Sequence, residues 1–416
     1  MELGELIHDW NLAKGREIPL NRRVMLNDET LRDGLQNPSV RDPSIEEKVQ
    51  ILHLMEELGI DTVNIGLPGA GPRAYADTEA LAREIVRCRM KIRPNCAART
   101  HVNDIRPVAE ISQKAGIAIE AATFLGSSPI RRLVEDWTVE HLQRTTEDAV
   151  KFAVAEGLQV MYVTEDTTRT DAETVKSLYT TAIRCGARAI VLCDTVGHAE
   201  PRGAYNLVRF AIDEVVKPSG ETIRVDWHGH NDRGLSIANS LAAIAAGADQ
   251  VHAAANSLGE RVGNTPMELM LVNLRLMGLI ERDLSKLKEY SEVVSRATRT
   301  TVPPNYPVVG RDAFRTATGV HAAAIIKAYR KNDVMLANSV YSGVPSHLFG
   351  LEQVIEVGPM SGRSNVTYWL EKHNIPATDD LVDRIFQAAK KAERVMTDEE
   401  IVALCGIDAH SNPATK

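Results

Sequence analysis

The sequence predicts a (β/α)8, or TIM, barrel followed by a small, mostly helical C-terminal extension of two subdomains. Three observations lead there. From residue 24 onward, short β-rich apolar runs alternate with longer stretches of helical periodicity. The runs number eight within roughly 250 residues, whereas a doubly wound sheet more often stops at about five or six strands. Several helical stretches end in glycine (Gly59, Gly157, Gly247), the residue that most readily takes the left-handed conformation closing a helix.

In chain order the expected strands are 24–27, 62–67, 92–98, 118–124, 159–164, 189–193, 223–227 and 250–254. Helices are expected between them, over 45–58, 80–89, 139–156, 173–184, 205–215, 235–246 and 267–276. The barrel therefore spans residues 23–283, after an N-terminal extension of 1–22. Beyond it, a helix over 284–299 is broken by Pro303, Pro304 and Pro307 and resumes over 322–329, which reads as a linker subdomain of 284–336. A C-terminal subdomain of 337–416 holds a Pro- and Gly-containing loop, a helix over 363–373 and two more helical stretches, with a frayed tail at 411–416. Gly69-Ala70-Gly71-Pro72-Arg73-Ala74 imitates a nucleotide-binding turn, but it lies in the second unit and Pro72 interrupts it, so it reads as a barrel loop.

The chain of 416 residues is 44% hydrophobic, enough for a full core, and its formal net charge of −8 offers no field for nucleic acid or an anionic membrane. No apolar run approaches the roughly 20 residues of a membrane helix, and the N-terminus lacks a basic stretch followed by an apolar one. Cytoplasmic location and small-molecule partners are the expectation. The five cysteines are scattered, with no C-x-x-C pair, which argues against a disulfide framework or zinc knuckle.

A barrel of this kind carries its active site at the C-terminal strand ends, and polar residues gather there. Strand one runs into Asp28-Glu29-Thr30-Leu31-Arg32-Asp33-Gly34-Leu35-Gln36, strand three into Arg99-Thr100-His101, strand five into Glu165-Asp166-Thr167-Thr168-Arg169 and strand six into Asp194-Thr195. Strand seven ends in His228-Gly229-His230-Asn231-Asp232 and strand eight leads to Gly259-Glu260-Arg261-Val262-Gly263-Asn264. Alternate residues on a strand share a face, so His228 and His230 can grip one ion. A His-x-His pair alone is more often ordinary packing. Asp33 beyond strand one and Asn264 beyond strand eight change the balance, because both strands neighbour strand seven or each other in a closed barrel. Two imidazoles, a carboxylate and an amide oxygen suit Mg²⁺, Mn²⁺ or Zn²⁺, and spacing does not choose among them. Such an ion polarises a 2-oxo acid, and Arg32 can face an oxygen that becomes negative as a bond forms. Arg32 can equally be a structural partner of Asp33 or Glu165. Thr195 and His101 are candidate substrate contacts, or respectively a helix cap and a solvated histidine.

Taken in order, DETLRDGLQ, TEDTTRTD, DTVGHAEP, HGHNDRG and GERVGN resemble the metal-dependent barrel superfamily of 2-isopropylmalate, homocitrate and citramalate synthases and hydroxymethylglutaryl-CoA lyases. The resemblance implies metal ligands at Asp33, His228, His230 and Asn264, a catalytic Arg32, and substrate contacts at Gln36, Glu165 and Thr195. Thr318-Gly319-Val320-His321-Ala322 and the segment from Tyr341 through Pro345 to Gly350 resemble synthase segments whose His and Tyr enter the partner's barrel. His321 and Tyr341 are thereby implied to complete the site in trans in a homodimer, with His321, assisted by Glu165 or Tyr341, as base or relay. Ser361-Gly362-Arg363 resembles a segment of the synthases' small C-terminal subdomain. The implied activity is condensation of an acyl-CoA, with acetyl-CoA as co-substrate, and a 2-oxo acid to a 2-alkylmalate, an amino-acid biosynthetic reaction. Feedback inhibition through a long regulatory domain is expected to be absent.

Some positions depart from the family pattern. Asn64 stands where strand two usually carries Glu, Glu29 where Thr is commoner and Ser257 where Gly is. The substrate signals oppose each other: Arg99-Thr100-His101 resembles the R-x-H of homocitrate synthases, whose His faces a dicarboxylic oxo acid, whereas Met161 stands where an Arg is usual four residues before the strand-five Glu. The loop 256–264 lacks the cysteine of the lyases, which disfavours the cleavage direction. A homocitrate or citramalate synthase, a metal-dependent lyase or aldolase, and a non-catalytic metabolite-binding barrel are the competing readings.

Overall fold

Hydrogen bonding from each strand passes to the next in sequence, and the eighth returns to the first. The computed structural model describes residues 6–406; the tail at 411–416, expected to fray, lies outside them. The strands are β1 (Met25–Asp28), β2 (Thr62–Asn64), β3 (Arg93–Arg99), β4 (Glu120–Gly126), β5 (Gln159–Glu165), β6 (Ala189–Asp194), β7 (Arg224–Gly229) and β8 (Gln250–Ala253). They form a closed parallel barrel in that order, shut by the register of Met25–Asp28 on Gln250–Ala253. All eight expected strands are present, with ends shifted by a few residues.

Around the strands run α1 (Ile45–Glu57), α2 (Pro72–Cys88), α3 (Val102–Ala115), α4 (Pro129–Glu135), α5 (Val139–Ala155), α6 (Ala172–Cys185), α7 (Pro201–Ala211), α8 (Ser236–Ala246), α9 (Met267–Leu276) and α10 (Leu287–Thr298). Local chemistry starts and stops them. Ser44 and Glu47 form a capping box at α1, Asp171 accepts from the Thr174 amide at α6, and left-handed Gly186 ends α6. The short α4, which the sequence reading did not include, begins at Ser128, whose hydroxyl accepts from the Arg131 amide. Pro68–Ala70 make one 3-10 turn and α2 already begins at Pro72, so the segment 69–74, expected to be a barrel loop, is a turn that runs into the helix.

Period two decides what fills the barrel. Outward residues pack on helices: the Tyr162 hydroxyl lies 2.6 Å from Thr146 of α5, and the Tyr179 hydroxyl of α6 lies 2.6 Å from Thr164. Inward residues divide the interior into unlike halves. On β7, β8, β1 and β2 they are polar: Arg224, Asp226, His228, Gln250, His252, Asn27, Thr62 and Asn64. On β4, β5 and β6 they become apolar toward the C-terminal ends, with Ala122, Met161, Val163, Val191 and Cys193 in one cluster. At the bottom Arg224 bridges the barrel, donating to Asp226 at 2.9 Å and to Glu120 of β4 at 2.8 Å.

Residues 14–302 form one unit, and residues 6–13 with 303–406 form another. The sequence suggested boundaries at 284 and 337 instead. The proline-broken segment explains the difference: α10 groups with the barrel, whereas α11 (Gly319–Arg330) shares a core with later residues. In the second unit β9 (Arg315–Thr316) pairs in parallel with β10 (Val354–Ile355). Residues Ala322, Ile325 and Ile326 of α11 bury against Ala337, in α12 (Val334–Ser339), and Ile355. A second core joins α13 (Arg363–Lys372), α14 (Asp379–Lys391) and α15 (Asp398–Cys405) through Val366, Leu370, Ile385 and Ile401.

The tether of α10 to the barrel is polar and buried. The Tyr290 hydroxyl donates to Asp28 Oδ2 at 2.5 Å, while Asp28 Oδ1 accepts from the Thr30 amide at 2.8 Å. Burial pushes the Asp28 carboxyl up to about 6, against these hydrogen bonds, which favour the anion. A raised carboxyl means that the folded state holds the proton longer than the unfolded chain, so this group costs stability as pH rises from about 4 through 6. Tyr290→Phe removes a donor to the anion and lifts that carboxyl further. Urea unfolding of Tyr290→Phe should show a loss of about 1–3 kcal/mol at pH 8 and a smaller loss at pH 5; an equal loss at both would refute the assignment.

Candidate metal centre and active site

The register that closes the barrel sets the first turn after β1 beside the loop after β8. Beyond β1 the chain makes a 3-10 turn, Asp33–Gln36, which buries Asp33. His228 ends the inward row of β7, and His230 continues it, held by a bridge to Asn264. His228 Nε2 and His230 Nε2 lie 3.2 Å apart and 3.4 and 3.6 Å from Asp33 Oδ2. Ligand atoms about 2.0–2.1 Å from one ion stand roughly 3 Å apart, so this spacing suits a shared divalent cation.

Charge and hydrogen bonding agree with that. Burial alone would raise the Asp33 carboxyl, but Arg32 and the two imidazoles hold it well below the ordinary range, so it is an anion. Burial and neighbouring His228 push His230 down to about 4, leaving a neutral imidazole. Asn264 is buried; its Nδ2 donates to Leu258 O at 3.0 Å, yet its Oδ1 has no hydrogen-bond partner, and neither does His230 Nδ1. An orphaned buried amide oxygen beside an anion and two imidazoles is a donor set that fits a hard or borderline cation. Gly259, at φ +145°, lets the loop come this close: a Cβ there would lie 3.2 Å from Asp33 Oδ1 and run into the Asn264 amide.

Arg32 sits over the centre at the end of a buried chain of polar contacts. Its Nη2 donates to Glu29 Oε2 at 2.5 Å and its Nη1 lies 3.6 Å from Asp33 Oδ2. Glu29 also accepts from Asn27 Nδ2 at 2.7 Å and Asn64 Nδ2 at 3.1 Å, and lies 3.3 Å from His252 Nδ1. His252 reaches Asp226 at 3.4 Å and, through it, Arg224. Burial would lower the His252 imidazole, but hydrogen bonds to Asp226 and Glu29 raise it to about 9, so it is a cation between two carboxylates. Burial opposes the charge on Glu29, and Arg32 with His252 overcomes it, lowering it to about 2. The two departures noted in the sequence are thus one feature: Glu29 supplies a carboxylate from β1 beside the position where Asn64 of β2 has none. Glu29, Asn64 and His252 were not among the residues singled out as candidates. The inward alternation of β1, β2 and β8 is the signal that would have found them.

A cavity of about 170 Å³ opens above, walled by Arg32, Asp33, Gln36, Glu165, Thr195, His228 and His230 among others. Glu165 ends β5 half-buried, and burial raises its carboxyl against the pull of Arg131 and Arg32. Thr195 Oγ1 accepts from the Asp166 amide at 2.8 Å, which leaves its proton to donate. Exposed Gln36 stands at the mouth. His101 is not brought to the cavity: it is exposed, and its Nδ1 accepts from the Asn103 amide at 3.2 Å, capping α3. Its place one residue before the helix explains this correction, since a cap turns the ring back toward the helix. In the other unit, exposed His321 and Tyr341 stack with ring centroids 4.0 Å apart.

The HMGL-like family model matches residues 23–294. The chain belongs to the HMGL-like family. Among its relatives is a probable 2-isopropylmalate synthase of Methanopyrus kandleri, 33% identical over 89% of this chain and 70% of the relative. A homocitrate synthase AksA of the same organism is 31% identical over 90% of this chain and 89% of the relative. Homocitrate synthase 1 of a Nostoc species is 30% identical over 94% and 99%. A solved hydroxymethylglutaryl-CoA lyase of Pseudomonas aeruginosa matches with a TM-score of 0.56 and 18% identity, covering 67% of this chain and 94% of that one, a likeness of fold.

For this HMGL-like chain the cluster predicts near-stoichiometric uptake of Mn²⁺ or Zn²⁺, measurable by equilibrium dialysis. Asp33→Ala should lower the affinity by at least about 100-fold without unfolding the barrel, as checked by circular dichroism. Retained affinity would move the ion elsewhere.

Proposed function

We propose that this protein condenses an acyl-CoA, acetyl-CoA in the first instance, with a 2-oxo acid and hydrolyses the thioester, as a 2-isopropylmalate synthase-type enzyme. The observation that carries it is the buried Asp33–His228–His230 cluster with Arg32 beside it, walling a small cavity in an HMGL-like chain. The relatives' names supply the reaction class.

Asp33, His228, His230 and Asn264 would hold a divalent ion, Mg²⁺, Mn²⁺ or Zn²⁺, which when bound polarises the carbonyl of a 2-oxo acid. Thr195 donates to the acid's carboxylate, and Gln36 contacts it from the mouth. A base removes a proton from the acyl methyl group; Glu165 is suited to it, because a raised carboxyl sits closer to the operating pH. The resulting carbon nucleophile bonds to the carbonyl carbon, and the carbonyl electron pair moves to its oxygen. Arg32, unable to swing because Glu29 anchors it, presents fixed positive charge to that oxygen. Water then attacks the thioester, the C–S bond breaks, and CoA leaves as the thiol.

His321 and Tyr341 act as relay or acid in this reading, contributed by the second subunit of a homodimer. Their support is the stacked, solvent-exposed ring pair, which presents an imidazole and a phenol together at the surface of its unit. No helix among the described residues is long and apolar enough to cross a membrane, and a cytoplasmic role in amino-acid biosynthesis with only small-molecule substrates follows from the same reading. The cleavage direction is disfavoured by the absence of cysteine from the loop 256–264.

Release of free thiol from acetyl-CoA by the metal-supplied protein should require a 2-oxo acid and fall at least about 100-fold in Asp33→Ala. Acid-independent release, or full activity in the variant, would sink the proposal. Trans contribution is tested by refolding His321→Ala and Asp33→Ala subunits together. Each alone should be inactive, and a one-to-one mixture should recover up to about a quarter of wild-type activity by statistical pairing; no recovery would place His321 in cis or outside the reaction.

A further inference from the structure

The cavity is electrically lopsided, and this bears on which acid enters it. Ions and hydrogen-bond donors crowd the β7–β8–β1–β2 side, where the candidate metal ligands stand. Facing them, on β3 to β6, the deeper wall is Ala97, Ala122, Phe124, Met161, Val163, Val191 and Cys193, with Glu165 and Thr195 above it at the strand ends. Ala97 and Ala122 are small, so these strands leave space where larger inward residues would have filled the barrel. A 2-oxo acid whose carboxylate and carbonyl face the polar side must extend its side chain toward the apolar one.

Among the described residues lining that side none is a cation, and the hydroxyl of Thr195 at its rim is taken by the first carboxylate. The cationic groups that wall the cavity are already committed: Arg32 to Glu29 and Asp33, Arg261 to Asp232 at 2.8 Å, and His252 to Glu29 and Asp226. Arg131, close to Glu165, pairs with Glu135 at 2.9 Å. The nearby uncommitted charge is negative, from the carboxyl of Glu165. A second carboxylate would lose its hydration against alanine, methionine and valine and gain no partner. The cavity of about 170 Å³ must hold the acid's polar end as well as its side chain, which favours a short side chain.

We infer that the substrate is a monocarboxylic 2-oxo acid with a short, uncharged aliphatic side chain, seated on Ala97, Ala122, Met161 and Val191, and that dicarboxylic 2-oxo acids are rejected. This rests on the condensation reading and narrows it, setting aside homocitrate-type chemistry.

Two measurements on the metal-loaded protein test it. Calorimetric titration with 2-oxoisovalerate, pyruvate, 2-oxoglutarate and oxaloacetate reads binding without turnover, and thiol release with the same acids gives kcat/KM. The aliphatic acids should bind, and their kcat/KM should exceed that of either dicarboxylic acid by at least about 100-fold. A dicarboxylic acid that matches or beats them overturns the inference and leaves the condensation standing. Aliphatic acids that bind tightly without any thiol release uphold the specificity and overturn the condensation. Ala122→Leu, which fills the floor, should cut kcat/KM for 2-oxoisovalerate at least about tenfold more than for pyruvate. An equal loss for both places the side chain elsewhere and overturns the seat.

Discussion

The pairing of β1 with β8 governs the rest of the molecule. Four parallel hydrogen-bonded positions, from Met25 on Gln250 to Asp28 on Ala253, convert an open series of strand–helix units into a ring. Only in the ring do the residues after β1 meet those after β7 and β8. Asp33, His228 and Asn264 are far apart in sequence, and no local preference brings them together. Closure also explains why the loop after β8 needs Gly259: it must pass against Asp33 with no side chain in between. The bulk of the candidate ligand cluster's geometry is therefore a consequence of sheet topology, with one glycine adjusting the fit.

Much of this was legible in the sequence because strands announce themselves by composition and a barrel needs only a count. That Asp33, His228, His230 and Asn264 would meet was legible too, since they follow strands whose C-terminal ends must share one rim. What was not legible came from partners across the barrel. Glu29 looked like a neighbour of the motif, yet it anchors Arg32 and takes a hydrogen bond from Asn64 on the next strand. Asn64 alone looked like a lost carboxylate. Seen together, Glu29 of the β1 turn sets a carboxylate on the Arg32 guanidinium and takes a hydrogen bond from the Asn64 that has none. His101 erred for the opposite reason: its local chemistry as a helix cap won over its position at a strand end. The boundary near residue 302 was hidden because proline breaks a helix without saying which core the next helix joins.

The division of the interior into a polar and an apolar half has an energetic logic. Buried ionic groups are tolerable only when each finds partners, and here Arg224, Asp226, His252, Glu29 and Arg32 satisfy one another in an unbroken series. That series fixes Arg32 from below, so its charge is aimed before substrate arrives. The opposite half holds Glu120, tied to Arg224, at its base and Glu165 at its rim, with the apolar stretch of Ala122, Met161, Val163 and Val191 between them. One barrel thus keeps its buried ion series and most of its apolar wall on separate strands.

The closing pair also has a history in time. The Thr30 hydroxyl of the β1 turn and the Ala255 amide that donates to it are separated by 225 residues, which at about 5–20 residues per second is roughly 10–45 s of synthesis. Through that interval β1 leaves the ribosome with no partner on one edge. Its inward residues, Asn27 and then Glu29, are polar, and Asp28 between them is charged while exposed to water. The first strand is thus soluble while it waits, and the same polarity that later builds the floor of the site protects the nascent chain from sticking to its neighbours.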